Sequence, residues 1–302
     1  MRPVPAARRA LVLGAAIASL LCARPARAQL TFPGASPISA GNVIVRTQPE
    51  YVDYTHGASS AFDKNVLIYG ASPDLAFIVQ NTTLIGNSAE VPAGLGQTQK
   101  DTAFGLGDTL LEGRYTIFRQ DGIGSTFRVA PYIGVSIPTG MDNANAALPR
   151  GAQPGTGAWA SRDAITASYQ TLFWNGGAEA GYQTNATAGG YQFGNTFFAD
   201  AGVHYLLWPT SLEGMDVPAE LYASLESNYT AQVANRAGGR KVAGTGGQML
   251  LLDPGLIYTK RLYSVSFTAL LPAYEQVRQN GARYNFGAVL FFRYSMFTGL
   301  HW

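Results

Sequence analysis

Residues Tyr284 to Trp302 read YNFGAVLFFRYSMFTGLHW. Taken by twos back from Trp302, one parity holds Leu300, Thr298, Met296, Tyr294, Phe292, Leu290, Ala288 and Phe286, uncharged and mostly apolar. The other holds His301, Gly299, Phe297, Ser295, Arg293, Phe291, Val289 and Gly287. Successive side chains of a strand point to opposite faces, so the run predicts one uncharged face and one face bearing Arg293. A buried final strand of a soluble β-sandwich satisfies the alternation alone. A barrel strand with lipid outside, an enclosed polar space inside and aromatic residues at the interface also explains the terminal Trp302.

The chain opens with Arg2, Arg8 and Arg9, continues in an apolar run from Ala10 to Cys22, and reaches Ala26-Arg27-Ala28. Those three zones predict a secretory signal peptide over residues 1–28, set aside from fold reasoning. Its apolar run is too short for a permanent membrane helix. Leu21 before Cys22, where a small residue is expected, argues against lipidation. The mature part then holds sixteen basic and nineteen acidic residues, a net charge of −3, and no cysteine. No basic surface points to nucleic acid, and no disulfide is expected. No later segment offers ~18 consecutive apolar residues for a membrane helix.

Residues 29–41 (QLTFPGASPISAG) are rich in Pro, Gly and Ser and predict an extended lead-in, a possible plug for a lumen. Residues 42–302 read as hairpins. Asn42 to His56 is a first strand in which Pro49 predicts an end or a bulge. Lys64–Gly70 and Leu75–Thr83 flank the turn Ala71-Ser72-Pro73-Asp74. Gly86 to Phe104 is polar and turn-rich, which predicts a long loop. Thr109, Leu111, Gly113, Tyr115 and Ile117 then alternate with Glu112, Arg114, Thr116 and Phe118. After a turn at Asp121-Gly122-Ile123-Gly124, Phe127 to Ile137 alternate with Arg128, Ala130, Tyr132, Gly134 and Ser136. On a lipid face each of these charges would cost ~2–4 kcal/mol at the midplane, so Glu112, Arg114 and Arg128 are assigned inward. Residues 138–162 form a long connection, and a turn is expected at Trp174-Asn175-Gly176.

Further strands place Phe198, Asp200, His204, Tyr222, Glu220, Glu226, Phe291 and Arg293 on the inner face, with Trp208 as another inward aromatic. Short connections alternate with long ones over twelve strands. The expected fold is therefore all-β: a single closed antiparallel transmembrane barrel with short periplasmic turns and long extracellular loops. Closure follows because an open sheet edge in hydrocarbon leaves backbone groups unsatisfied.

The run from Gly105-Leu106-Gly107-Asp108 to Tyr115, followed by Ala130 to Pro138-Thr139-Gly140, resembles an outer-membrane family named for the meta (MetA) pathway of phenol degradation. That resemblance implies a barrel that admits hydrophobic or aromatic compounds, without a defined set of site residues. The ending also resembles the carboxy-terminal insertion signal of outer-membrane proteins. It implies Tyr294, Leu300 and Trp302 as signal residues, barrel assembly machinery and outer-membrane lipids as partners, and the outer membrane of a Gram-negative bacterium as the destination after Sec-type export.

Chemistry is sparse. Gly105-x-Gly107 and Gly94-x-Gly96 lack the strand–helix setting of dinucleotide loops. Three histidines, His56, His204 and His301, do not make a metal cluster, and no cofactor is expected. Three function classes fit: a channel for passive uptake of small, hydrophobic or aromatic solutes; a barrel enzyme acting on lipids with His204 as base; and a secreted soluble β-protein with an apolar ligand. The channel uses the inward set Glu112, Arg114, Arg128, Tyr132, Phe198, Asp200, His204, Tyr222, Glu226 and Arg293 as lumen-lining residues. It is the preferred reading, with no catalytic residue assigned.

Overall fold

The structure, a computed structural model, describes residues 35, 38–55, 57–94, 97–210, 219–277 and 283–297. In chain order the strands are β1 (Asn42–Tyr54), β2 (Ser59–Gly70), β3 (Leu75–Gly94), β4 (Gln97–Tyr115), β5 (Phe118–Gly122) and β6 (Ser125–Ile137). Then follow β7 (Ala160–Gln170), β8 (Trp174–Asn185), β9 (Thr187–Ala188), β10 (Tyr191–Gln192), β11 (Thr196–Trp208) and β12 (Glu220–Gln232). The last are β13 (Arg236–Ala237), β14 (Arg240–Lys241), β15 (Gly247–Lys260), β16 (Tyr263–Val277) and β17 (Tyr284–Phe297).

One antiparallel sheet runs β4-β3-β2-β1-β17-β16-β15-β12-β11-β8-β7-β6, and β4 pairs with β6 to seal it. The short β5 continues the line of β4 along β6. Counting those two as one gives a closed wall of twelve strands. β1 and β17 meet at the seam, with Arg46 opposite Arg293. The two-residue strands β9, β10, β13 and β14 form a small second sheet in the loops. Connections at 71–74, 123–124, 171–173 and 261–262 are tight, whereas 138–159, 186–195 and 233–246 lie at the opposite, extracellular end.

The wall is inverted relative to a soluble protein. Leu67, Val79, Leu111 and Val135 are register partners across β2, β3, β4 and β6, and all four are exposed on the outside. A contiguous apolar band of this kind is costly in water and favourable against lipid tails. Aromatic pairs ring both ends: Trp174–Tyr205 and Tyr258–Tyr263 near the tight turns, with centroids 4.4 and 6.4 Å apart. Tyr51–Phe286 and Phe197–Tyr229, each at 6.3 Å, lie toward the loops. Such rings suit the two membrane interfaces.

Four expectations are corrected. Gly86 to Phe104 is not a loop: Asn87 pairs with Ala103 and Glu90 with Lys100, so β3 and β4 extend past the apolar band. Above the membrane a ladder needs no apolar face, and Ser88 Oγ to Thr102 Oγ1 at 2.8 Å joins the two strands through polar groups. Trp208 points outward and is 52% exposed. The β11–β12 register passes from Leu206–Tyr222 to Trp208–Leu221, and that slip turns Trp208 away from the lumen. The turn before β8 is at 171–173, because Thr171 Oγ1 accepts the N–H groups of Phe173 and Trp174 at 3.3 and 2.8 Å. Pro49 neither ends nor bulges β1 against β2, where it opposes Asp63. It does leave a gap in the β1–β17 ladder at Gln48 and Pro49, and the Gln48 N–H donates instead to Asp63 Oδ1 at 2.8 Å. Leu300 and Trp302 of the insertion signal lie outside the described residues, and Tyr294 lies on β17.

Candidate functional site: the barrel lumen

The inner positions carry the charges that the outer positions avoid. Glu112 and Arg114 stand two apart on β4, Arg128 and Tyr132 on β6, and Phe198, Asp200 and His204 on β11. Tyr222 and Glu226 stand on β12 and Arg293 on β17. Nine of these are buried, and Asp200 is half-buried. Glycines on neighbouring strands make room: a Cβ on Gly134 would lie 2.9 Å from Glu112 Cγ, and one on Gly181 would collide with the Phe198 ring.

The structure brings together further inward charges that alternation on β1, β2, β7, β8 and β15 could have found: Arg46, Glu50, Lys64, Arg162, Glu179 and Asp253. They do not mix evenly around the wall. Four strands adjacent in the sheet, β8, β11, β12 and β15, give the carboxylates Glu179, Asp200, Glu226 and Asp253, and β12 adds Glu220, which accepts the Tyr222 hydroxyl at 3.0 Å. Glu179 is the register partner of Asp200, and Glu226 of Asp253. The facing strands β6, β4, β2, β1 and β17 contribute Arg128, Arg114, Lys64, Arg46 and Arg293, with Glu112 and Glu50 among them. An acidic wall thus faces a mainly basic one, which orients a field across the lumen.

Contacts tie the walls into place. Arg162 lies 3.8 Å from Glu179 and stacks over Phe198 at 4.3 Å. Tyr132 Oη donates to Glu179 Oε1 at 3.4 Å. His204, with no exposed surface, meets Glu226 Oε1 through Nε2 at 3.1 Å. Asn228 donates to Asp253. Arg128 reaches Asp121 at 3.3 Å near the tight turns. Lys64 pairs with Glu50 at 3.2 Å. Buried charges held this way cost less than unpaired ones.

Between the walls is a cavity of about 360 Å³. Arg46, Gln48, Glu112, Arg162, Glu179, Asp200 and Asp253 border it, and Leu251, Leu270 and Val289 give it one apolar strip. At the tight-turn end, Ile38 packs on Ile44, Ile68, Ala76 and Ile78. A Cβ on Gly70 would lie 2.5 Å from the Ser39 carbonyl oxygen. Residues 38 and 39 therefore lie against the inner face of β1–β3. No group of three or more His, Cys, Asp or Glu able to hold a metal occurs among the described residues. His204 has Ser224 as its register partner, but His204 Nδ1 and Ser224 Oγ find no hydrogen-bond partner among the described residues. No nucleophile–base contact is formed there.

The two runs that frame the family resemblance meet in space. Asp108 Oδ1 accepts the Gly140 N–H at 3.0 Å, and Oδ2 accepts the Thr156 N–H and hydroxyl at 2.9 and 2.5 Å. Thr109 Oγ1 and Thr139 Oγ1 lie 2.8 Å apart. Gly140 and Gly155 touch backbone to backbone, where a Cβ on Gly140 would lie 2.7 Å from the Gly155 Cα. The small residues and the carboxylate fasten the 138–159 loop to the rim.

A family model described as "Putative MetA-pathway of phenol degradation" matches residues 42–287, from the first strand into the last. The chain belongs to this family. No curated protein matches it. Among solved structures it is similar to the COG4313 outer membrane channel from Pseudomonas putida F1, at a TM-score of 0.63 and 11% identity, over 89% of this chain and 100% of that one. That likeness supports the fold, a closed antiparallel barrel. LpxR from Salmonella typhimurium aligns at a TM-score of 0.42 and 8% identity, over 84% of this chain and 99% of that one. The outer membrane protease OmpT from Escherichia coli aligns at 0.27 and 11%, over 89% and 99%.

Proposed function

We propose that this family member is a channel in the outer membrane of a Gram-negative bacterium, reached by Sec-type export and barrel assembly machinery, that lets small aromatic solutes enter by diffusion. The observation that carries the reading is the sealed twelve-strand wall around a lumen with charges inside and apolar residues outside. The family's description supports aromatic solutes. The cavity lining favours aromatics that bear a polar group over bare hydrocarbons. Charged side chains border most of it, and an apolar solute would strip their water without replacing the hydrogen bonds. The strip of Leu251, Leu270 and Val289 offers a ring somewhere to rest.

The enzyme reading has less support. His204 and Glu226 are buried inside the lumen, away from the outer surface where lipid lies. A liposome swelling assay with purified protein, using solutes from sugars to alkylphenols, tests the channel. Phenol and small substituted phenols should enter faster than disaccharides. Rates equal to those of protein-free liposomes for every solute would sink the reading.

A further inference from the structure

At the seam, Arg46 on β1 and Arg293 on β17 are direct register partners, both buried. Like charges placed opposite each other across a ladder repel. Arg293 Nη2 donates to Ser264 Oγ at 3.2 Å. Arg46 is only 4% exposed, and its guanidinium lies over the Phe291 ring at 5.6 Å. Its Nε and Nη1 find no hydrogen-bond partner among the described residues, although Arg46 borders the cavity. Buried guanidinium donors left unused beside a second guanidinium are costly. A carboxylate fits such a fork better than any neutral group.

The surroundings define the rest of a ligand. Val289 precedes Phe291 by two positions on the same inner face of β17, and Val289, Leu251 and Leu270 belong to one apolar cluster. All three border the same cavity as Arg46. We propose that Arg46 and Arg293 form a carboxylate subsite in the lumen and that the Val289–Leu270–Leu251 strip receives the apolar body of the same solute. The preferred solute class is then a small carboxylate with an apolar ring or short chain. This rests on the channel reading only for its role in uptake; binding itself does not.

Isothermal titration of benzoate, benzamide and acetate into the folded, detergent-solubilised protein tests it, with folding followed by heat-modifiable gel mobility. Benzoate should bind at least tenfold tighter than either benzamide or acetate. Arg46→Gln should weaken benzoate at least tenfold. Val289→Phe, which fills the apolar strip, should weaken benzoate while leaving acetate unchanged, and it serves if Arg46→Gln does not fold. Benzamide binding as tightly as benzoate, acetate binding as tightly as benzoate, or unchanged benzoate affinity in the folded variants would overturn the subsite. Benzoate binding without solute flux in liposomes would leave the subsite standing and remove the channel. Flux without benzoate binding would do the reverse.

Discussion

Asp108 accepts the backbone N–H of Gly140 at 3.0 Å and so joins the start of a long extracellular loop to β4. The second oxygen of the same carboxylate takes both donors of Thr156, near the end of that loop. One side chain thus fixes the loop at its two ends.

Replacing Asp108 with Ala removes three hydrogen bonds to a charged acceptor. Such bonds are worth ~1.5–3 kcal/mol each when buried, and partial exposure brings the expected loss to about 2–4 kcal/mol. The urea midpoint of folding in liposomes should fall accordingly. Trypsin should also cut faster at Arg150, which lies in the released loop. A midpoint equal to that of the parent protein would show that the latch is unimportant.

Leu111 sits in the outer band between Val79 and Val135. Leu111→Arg should destabilise the inserted barrel by ~2–4 kcal/mol, the cost of a cation near the bilayer midplane. The readout is the folding midpoint in phosphatidylcholine vesicles. An unaffected midpoint would mean that this band does not face lipid.

Asp200 and Asp253 border the cavity from the acidic wall. The double substitution Asp200→Asn with Asp253→Asn should raise chloride permeability relative to potassium, seen as a shifted reversal potential in a salt gradient across a planar bilayer. A reversal potential equal to the parent's would place the ion path away from this wall.

Ile38 packs inside the tight-turn end on residues of β1, β2 and β3. If the segment before β1 narrows that mouth, removing residues 29–40 should increase single-channel conductance. Equal conductance for the shortened protein would remove the plug.

Much of the barrel was legible because lipid imposes a binary rule. On β17, Phe286, Leu290 and Phe292 are exposed whereas Val289, Phe291 and Arg293 are buried, the two parities already separate in the sequence. The rule loses its force above the membrane. Water accepts either face of Asn87–Glu90 or Gln99–Ala103, so the extended β3–β4 hairpin left no periodic trace. It also fails at register slips. Trp208 has the parity of an inward residue, and only the pairing with β12 turns it out.

The sequence by itself determined which side of each strand meets hydrocarbon, since a charge there costs too much to persist, and therefore that the sheet closes. Which inward charges share one wall was decided only in three dimensions. Glu179, Asp200, Glu226 and Asp253 lie far apart in the chain and come together through the register of four strands, while Arg46 meets Arg293 because the first strand must close on the last. Alternation fixes a face for each residue, but hydrogen-bond register fixes its neighbours, and register is a property of paired strands.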